Sequence, residues 1–170
     1  MTGYAIDLAD VEQAAKRIAP FIHRTPLMTS ASVDRAAGRS IFLKCENLQR
    51  VGAFKFRGAT NAVQKLDAST AARGVVTHSS GNHAQALALA ARIRGIAAHV
   101  VMPTNAPVVK RDAVRDFGAT IYDCEPTQTA REQTAADVCA RTGGVLIPPF
   151  DHPDLLAGQG TCGLEIVEQA

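Results

Sequence analysis

The sequence predicts an α/β protein built on an open parallel sheet flanked by helices. Two observations carry this. Four short apolar or β-branched runs recur along the chain: GVVTHSS (74–80), AAHVVMP (97–103), ATIYDC (119–124) and GVLIPPF (144–150). Helix-length segments at 82–95, 107–117 and 127–142 alternate with them. Strands alternating with helices of about ten residues or more indicate βαβ units and a parallel sheet. Short strands that are apolar throughout suit a sheet covered on both faces.

Taken in order, Asp7 is placed to cap a first helix. Its apolar residues Leu8, Val11, Ala15 and Ile18 recur at helical spacing up to Pro20. After Thr25-Pro26 a short second helix is expected from Ser30 to Gly38, followed by the β-prone run SIFLKCEN (40–47). The alternating strands and helices then begin. The last stretch, DLLAGQGTCGLEIVEQA (154–170), reads as a helix with no glycine stop, proline or polar tail after it. A periodic apolar pattern that runs to the chain end predicts a truncated protein, whose fold continues elsewhere.

At 170 residues the chain has about one domain's length. With 46% hydrophobic and 20% charged residues it reads as globular rather than disordered. The net charge of +2, without a basic block, gives no support to a nucleic-acid or membrane-surface partner. Apolar runs fall short of the ~20 residues of a membrane span. The acidic residues in MTGYAIDLADVEQ do not fit a secretory signal, so a cytoplasmic protein is expected. Cys45, Cys124, Cys139 and Cys162 are scattered, with no C-x-x-C pair, and read as buried thiols rather than a zinc site or disulfide framework.

Two stretches carry candidate chemistry. In GAFKFRGA (52–59), Lys55 stands between Phe54 and Phe56. Aromatic neighbours that desolvate a lysine lower its amine pKa and favour the neutral nucleophile. In THSSGNHAQALALAAR (77–92), a strand end passes through Ser79, Ser80 and Gly81 into a strongly helical run at Asn82. Outward N–H groups and the helix dipole make such a junction an anion site. It also lies at the carboxyl end of the strands, where open parallel sheets bind ligands. The plainer reading is capping: Asn82 with Gln85 fits a capping-box-like start, and Ser80 is an alternative cap. His78 and His83 are five apart and have no third ligand nearby, so no metal site is expected. No G-x-x-x-x-G-K-[ST] loop or G-x-S-x-G is present, no G-x-G-x-x-G follows the first strand, and the Gly158-Gln159-Gly160-Thr161 stretch is too isolated to count as a phosphate loop.

Together, KCENLQRVGAFKFRGATNAV (44–63) and THSSGNHAQALALAAR (77–92) resemble the fold-type II pyridoxal-phosphate enzymes. The closest likeness is to the serine/threonine dehydratase and serine racemase group. FIHRTPL (21–27) and LLAGQGTCGLEI (155–166) resemble the same family in the same order. The resemblance implies a tryptophan-synthase-β-like fold, pyridoxal 5'-phosphate as cofactor, a small amino acid as substrate and a homodimer in the full-length enzyme. It makes Lys55 the Schiff-base lysine and the base that removes the Cα proton. It makes Ser80 the second acid/base, on the opposite face. Asn82 resembles the residue that bonds the cofactor's ring hydroxyl, and Phe54 the one that packs beside its ring. The backbone of Ser79, Ser80, Gly81, Asn82 and His83 resembles the loop that binds the substrate carboxylate.

The implied reaction is β-elimination from L-threonine or L-serine to a 2-oxo acid and ammonia. Serine racemisation and 3-hydroxyaspartate deamination are alternatives on the same chemistry. Family members are longer, and their second half carries the glycine-rich phosphate loop and, in many, a divalent-metal site. Residues 1–70 are accordingly expected in the large domain, 71–152 as the small α/β domain, and 153–170 as the first helix returning to the large one. An inactive fragment serving only as a binding or dimerisation module is the reading from another class.

Overall fold

The computed structural model describes residues 5–170. Helix α1 (Leu8–Ile18) starts as the sequence predicts. Asp10 N–H donates to Asp7 Oδ1 and Asp7 N–H to Asp10 Oδ2, each at 3.0 Å, while Lys16 and Arg17 meet the negative end of the dipole. The buried face is centred on Ala14 and Ile18, and Leu8 is left exposed. Strand β1 (Leu27–Met28) pairs antiparallel with β2 (Leu43–Lys44), all that SIFLKCEN contributes to a ladder. Between them α2 (Ala31–Ala37) ends at Gly38 in the left-handed conformation.

Two 3-10 turns, Glu46–Leu48 and Arg50–Gly52, lead into α3 (Lys55–Lys65), which is followed by the short α4 (Ala68–Ala72). The alternating part then runs β3 (Val75–His78), α5 (Asn82–Arg94), β4 (Ala98–Pro103), α6 (Val108–Asp116), β5 (Thr120–Cys124), α7 (Gln128–Thr142) and β6 (Val145–Leu146). Helix α8 (Pro153–Gln169) closes the chain.

The four strands β3 to β6 form one parallel sheet in the order β5-β4-β3-β6. Central β3 is buried at every position, whereas edge strand β5 is exposed or half-buried at every position but Cys124. The run GVLIPPF yields only two paired residues, because Pro148 and Pro149 have no N–H to give a ladder.

Apolar side chains pack on both faces of the sheet. On one, Phe56 and Val63 of α3 and Leu87 of α5 join Val75, Val100 and Met102. On the other, Ala135 and Val138 of α7 meet Val76, Val101 and Cys124. The alanines of α5, five of them buried, let it lie close between the sheet and α3. Helix α8 packs back on α3 and α1. The α3–α8 contact is close enough to require glycine: a Cβ on Gly158 would lie 2.7 Å from Arg57 O and from Asn61 Cβ. Among the described residues no helix is long and apolar enough to cross a membrane.

Candidate active site at the carboxyl edge of the sheet

The strand order creates a switch point. From β3 the chain moves to β4 on one side, and β6 returns on the other. Connections that leave a strand pair in opposite directions open a crevice beyond the carboxyl ends, where α/β sheets bind ligands. Beyond β3 lie Ser79, Ser80, Gly81 and the start of α5; beyond β6 lie Ile147 to Phe150.

Lys55 reaches this crevice from the first turn of α3. Val51 (φ 56) and Gly52 (φ 67) both adopt left-handed backbone just before it. This is an unfavourable state for a β-branched residue, and Val51 is held in it by packing against the main core. The half-buried Lys55 donates from Nζ to Pro149 O at 3.1 Å. Its ammonium also lies 5.4 Å from the centroid of the Phe54 ring. The two flanking aromatics differ: Phe56 is sealed in the core, while the Phe54 ring is 42% exposed beside the amine.

The loop after β3 holds donors ready without capping them. Ser79 N–H still belongs to the sheet and donates to Val101 O at 3.0 Å. Its hydroxyl accepts from Gly81 N–H at 3.2 Å. Gly81 is the residue before the helix, and no side chain caps it. The capping expectation for Ser80 and Asn82 is therefore not met: Asn82 already lies inside the helix, and Ser80 stands outside it without a cap bond. The first-turn N–H groups of Asn82, His83 and Ala84 lack acceptors within the helix and are left to the crevice. A Cβ on Gly81 would lie 3.6 Å from Lys110 Nζ, so a further positive charge adjoins the loop. Ser80 is half-buried and Asn82 exposed.

His83 is a buried neutral histidine. Burial pushes its pKa down to about 4; a hydrogen bond to Ile147 opposes this, and the charges of Lys55 and His78 add to it. Nε2 lies 3.3 Å from Ile147 O. A carbonyl only accepts, so Nε2 carries the hydrogen and Nδ1 is a bare lone pair, buried without a partner. His78 is on β3, where alternation turns it with Val76 toward α7, and burial lowers its pKa too, with Glu132 and Arg131 acting on it. The two histidines thus serve different layers.

Behind the lysine, Arg57 is fully buried and fully paired. It donates to Glu46 at 2.7 and 2.8 Å and to Glu165 at 2.7 and 3.0 Å. Lys44 adds a 2.5 Å bond to Glu165, and Thr25 Oγ1 donates to Glu46 at 2.6 Å. This network ties the β2 exit, α3 and α8 together beneath Lys55. Sequence reasoning does not find it, nor the roles of Ile147 and Pro149, whose contributions are backbone carbonyls; the only signal is the Pro-Pro pair that ends β6.

An amine, a half-exposed aromatic face, a free amide at Asn82 and an uncapped helix start are a donor set suited to an aldehyde-bearing aromatic ring and a carboxylate. The comparisons with known proteins agree in kind. The family described as pyridoxal-phosphate dependent enzyme matches residues 18–170. A serine racemase of Arabidopsis thaliana is 53% identical over 98% of this chain and 50% of its own length. The beta-hydroxyaspartate dehydratase of Paracoccus denitrificans is 53% identical over 94% of this chain and 51% of its own. Among solved structures, maize serine racemase superposes with a TM-score of 0.96 at 47% identity, over 98% of this chain and 51% of that one. The threonine deaminase of T.th. gives 0.90 at 44% identity, over 97% and 52%. The chain spans about half the length of the curated relatives it matches. It belongs to the pyridoxal-phosphate-dependent enzyme family, among the enzymes of fold type II.

Proposed function

We propose that this chain is the part of an amino-acid ammonia-lyase that carries its reactive lysine and its substrate-carboxylate loop. The observation that carries the reading is the meeting of Lys55 with the β6 exit at a switch point whose other wall is an uncapped helix start. Residues 1–70 and 153–170 belong in this proposal to the large domain and 71–152 to the small one; residues 1–4 lie outside the described structure. The full-length protein is a cytoplasmic homodimer.

Bound pyridoxal phosphate supplies an electron sink for the pair left at Cα. The residues of this chain do the rest. Lys55 would hold the cofactor through its amine and, once the substrate's amine has taken its place there, would accept the Cα proton on the freed Nζ. Phe54 packs beside the ring, and the Asn82 amide orients it. N–H groups of the Ser79–His83 loop hold the substrate carboxylate at the positive end of α5. With the carboxylate fixed, the β-hydroxyl of L-threonine, L-serine or 3-hydroxyaspartate would leave as water, and water would then hydrolyse the released enamine to a 2-oxo acid and ammonia. A second reading, racemisation, has Ser80 return the proton from the other face. It is supported by the 53% identity to a serine racemase.

The test is borohydride reduction of the chain with pyridoxal phosphate, followed by peptide mapping. Label on Lys55 that is absent from Lys55→Ala is expected. A folded chain that takes up no label would leave the binding or dimerisation module instead. Assay of 2-oxo acid from L-threonine, L-serine and 3-hydroxyaspartate in the full-length protein sorts the substrates. Chiral analysis of recovered serine sorts lyase from racemase.

A further inference from the structure

We propose that His83 is a positioning residue for Lys55, acting through the backbone of Ile147, Pro148 and Pro149. The inference rests on the reading of Lys55 as the reactive amine, but its wiring is visible independently of it. Ile147 is clamped at both backbone groups. Its N–H donates to Val76 O at 2.8 Å, within the sheet, and its carbonyl accepts from His83 Nε2 at 3.3 Å. The residue itself is only 2% exposed. Two prolines follow, each with φ confined by its ring, so few free torsions separate the carbonyl of Pro149 from that of Ile147. Pro149 O is the acceptor for Lys55 Nζ at 3.1 Å.

The path joins the two motifs of the site, GAFKFRGA and SSGNH, through a third segment that neither contains. It also accounts for features with no role in binding the carboxylate. His83 carries a hydrogen on Nε2, which is what holding a carbonyl requires. Its side chain points to the β6 exit although its amide belongs to the helix start. An absent donor at this place would free the carbonyl of Ile147, and with it the seat of the lysine.

The experiment uses the 170-residue chain. Lysine amines are trace-acylated with acetic anhydride and quantified peptide by peptide, with exposed Lys16 and Lys65 as internal references. His83→Leu removes the donor, and His83→Gln retains an N–H. Loss of one hydrogen bond's worth of restraint predicts acylation of Lys55 about threefold faster relative to the references in His83→Leu. Borohydride trapping of pyridoxal phosphate at Lys55 should fall by a similar factor, since that reaction needs the amine aimed. His83→Gln should restore both. A merely structural role would move all lysines together or lower the melting temperature without this split.

Unchanged Lys55 ratios in a folded His83→Leu, or no rescue by His83→Gln, overturns the inference. Should His83→Leu not fold, Pro148→Gly loosens the relay with His83 in place and is expected to show the same split; wild-type ratios there overturn it equally. If wild-type protein is not trapped by pyridoxal phosphate at all, the proposed function fails, while the acylation ratios still decide the wiring.

Discussion

Lys55 and Arg57 stand two residues apart on one helix, and the fold treats their charges in opposite ways. Arg57 has no exposed surface and meets two carboxylates in bidentate fashion, with Lys44 and Thr25 satisfying the oxygens that remain. Lys55 is half-buried, and its one polar partner among the described residues is a backbone carbonyl. A permanently buried charge is tolerable only when paired and hydrogen-bonded throughout. A charge that is to be exchanged for a covalent bond must be released cheaply. The difference separates the scaffold of the site from its reactive group within a single helical turn.

The largest expected effect attacks the scaffold. Arg57→Met should cost about 3–5 kcal/mol in urea denaturation, because Glu46 and Glu165 would keep their burial and lose their main partner. A cost no greater than that of Lys55→Ala would erase the contrast. Next comes Gly158→Ala. Its Cβ would lie 2.7 Å from Arg57 O, so α8 must move off α3, at about 1–3 kcal/mol for such overpacking. Gly163→Ala, with open space around its Cβ, is the control and should not destabilise.

Acid separates the two regions by pH. At Glu165, burial raises the pKa, but hydrogen bonds from Arg57 and Lys44 and their charges outweigh it, and the net shift is downward. Glu46 is likewise lowered: burial opposes, and bonds from Arg57 and Thr25 prevail. The folded state therefore binds fewer protons than the unfolded chain here, so this stability is present above the ordinary glutamate value of 4.5 and is lost as pH falls below it. His83, near the lysine, is also depressed, from 6.5 to about 4, so its contribution is lost earlier, as pH falls through that interval. Urea midpoints followed downward from neutral pH should show a slope beginning near pH 6.5 that His83→Gln reduces. A steeper loss in the more acid range should be reduced by Arg57→Met instead.

These two regions also differ in what the sequence makes legible. The alternating pattern is plain in it: 82–95, 107–117 and 127–142 correspond to Asn82–Arg94, Val108–Asp116 and Gln128–Thr142. Local periodicity, a left-handed Gly95 and Gly143 at two of the helix ends, and the α1 capping box all act within a few residues of chain. Lys55 and SSGNH are readable for the same reason. Glu165 lies 108 residues from Arg57, and no spacing rule links them; only the return of α8 onto α3 does. Nor does a pattern show that Ser79, rather than Ser80 or Asn82, bonds the loop's own backbone. That choice depends on the exit angle of β3, whose register with β4 keeps the Ser79 amide in the sheet.

The smallest effect on stability is expected at the reactive group itself. Lys55→Ala gives up a single hydrogen bond from a half-buried side chain and a cation–π contact with a ring that remains partly in water. Such bonds contribute about 0.5–1.5 kcal/mol net, and here the acceptor belongs to Pro149, a residue that is itself only half-buried. The urea midpoint should accordingly move by less than about 1 kcal/mol in equivalent free energy, against several for Arg57→Met. The same substitution should abolish borohydride trapping of pyridoxal phosphate. A variant that keeps the fold and loses the chemistry identifies an amine held for reaction rather than for packing. If Lys55→Ala instead destabilised the chain as much as Arg57→Met, the Pro149 contact would be a structural tie, and the division of labour along α3 would not stand.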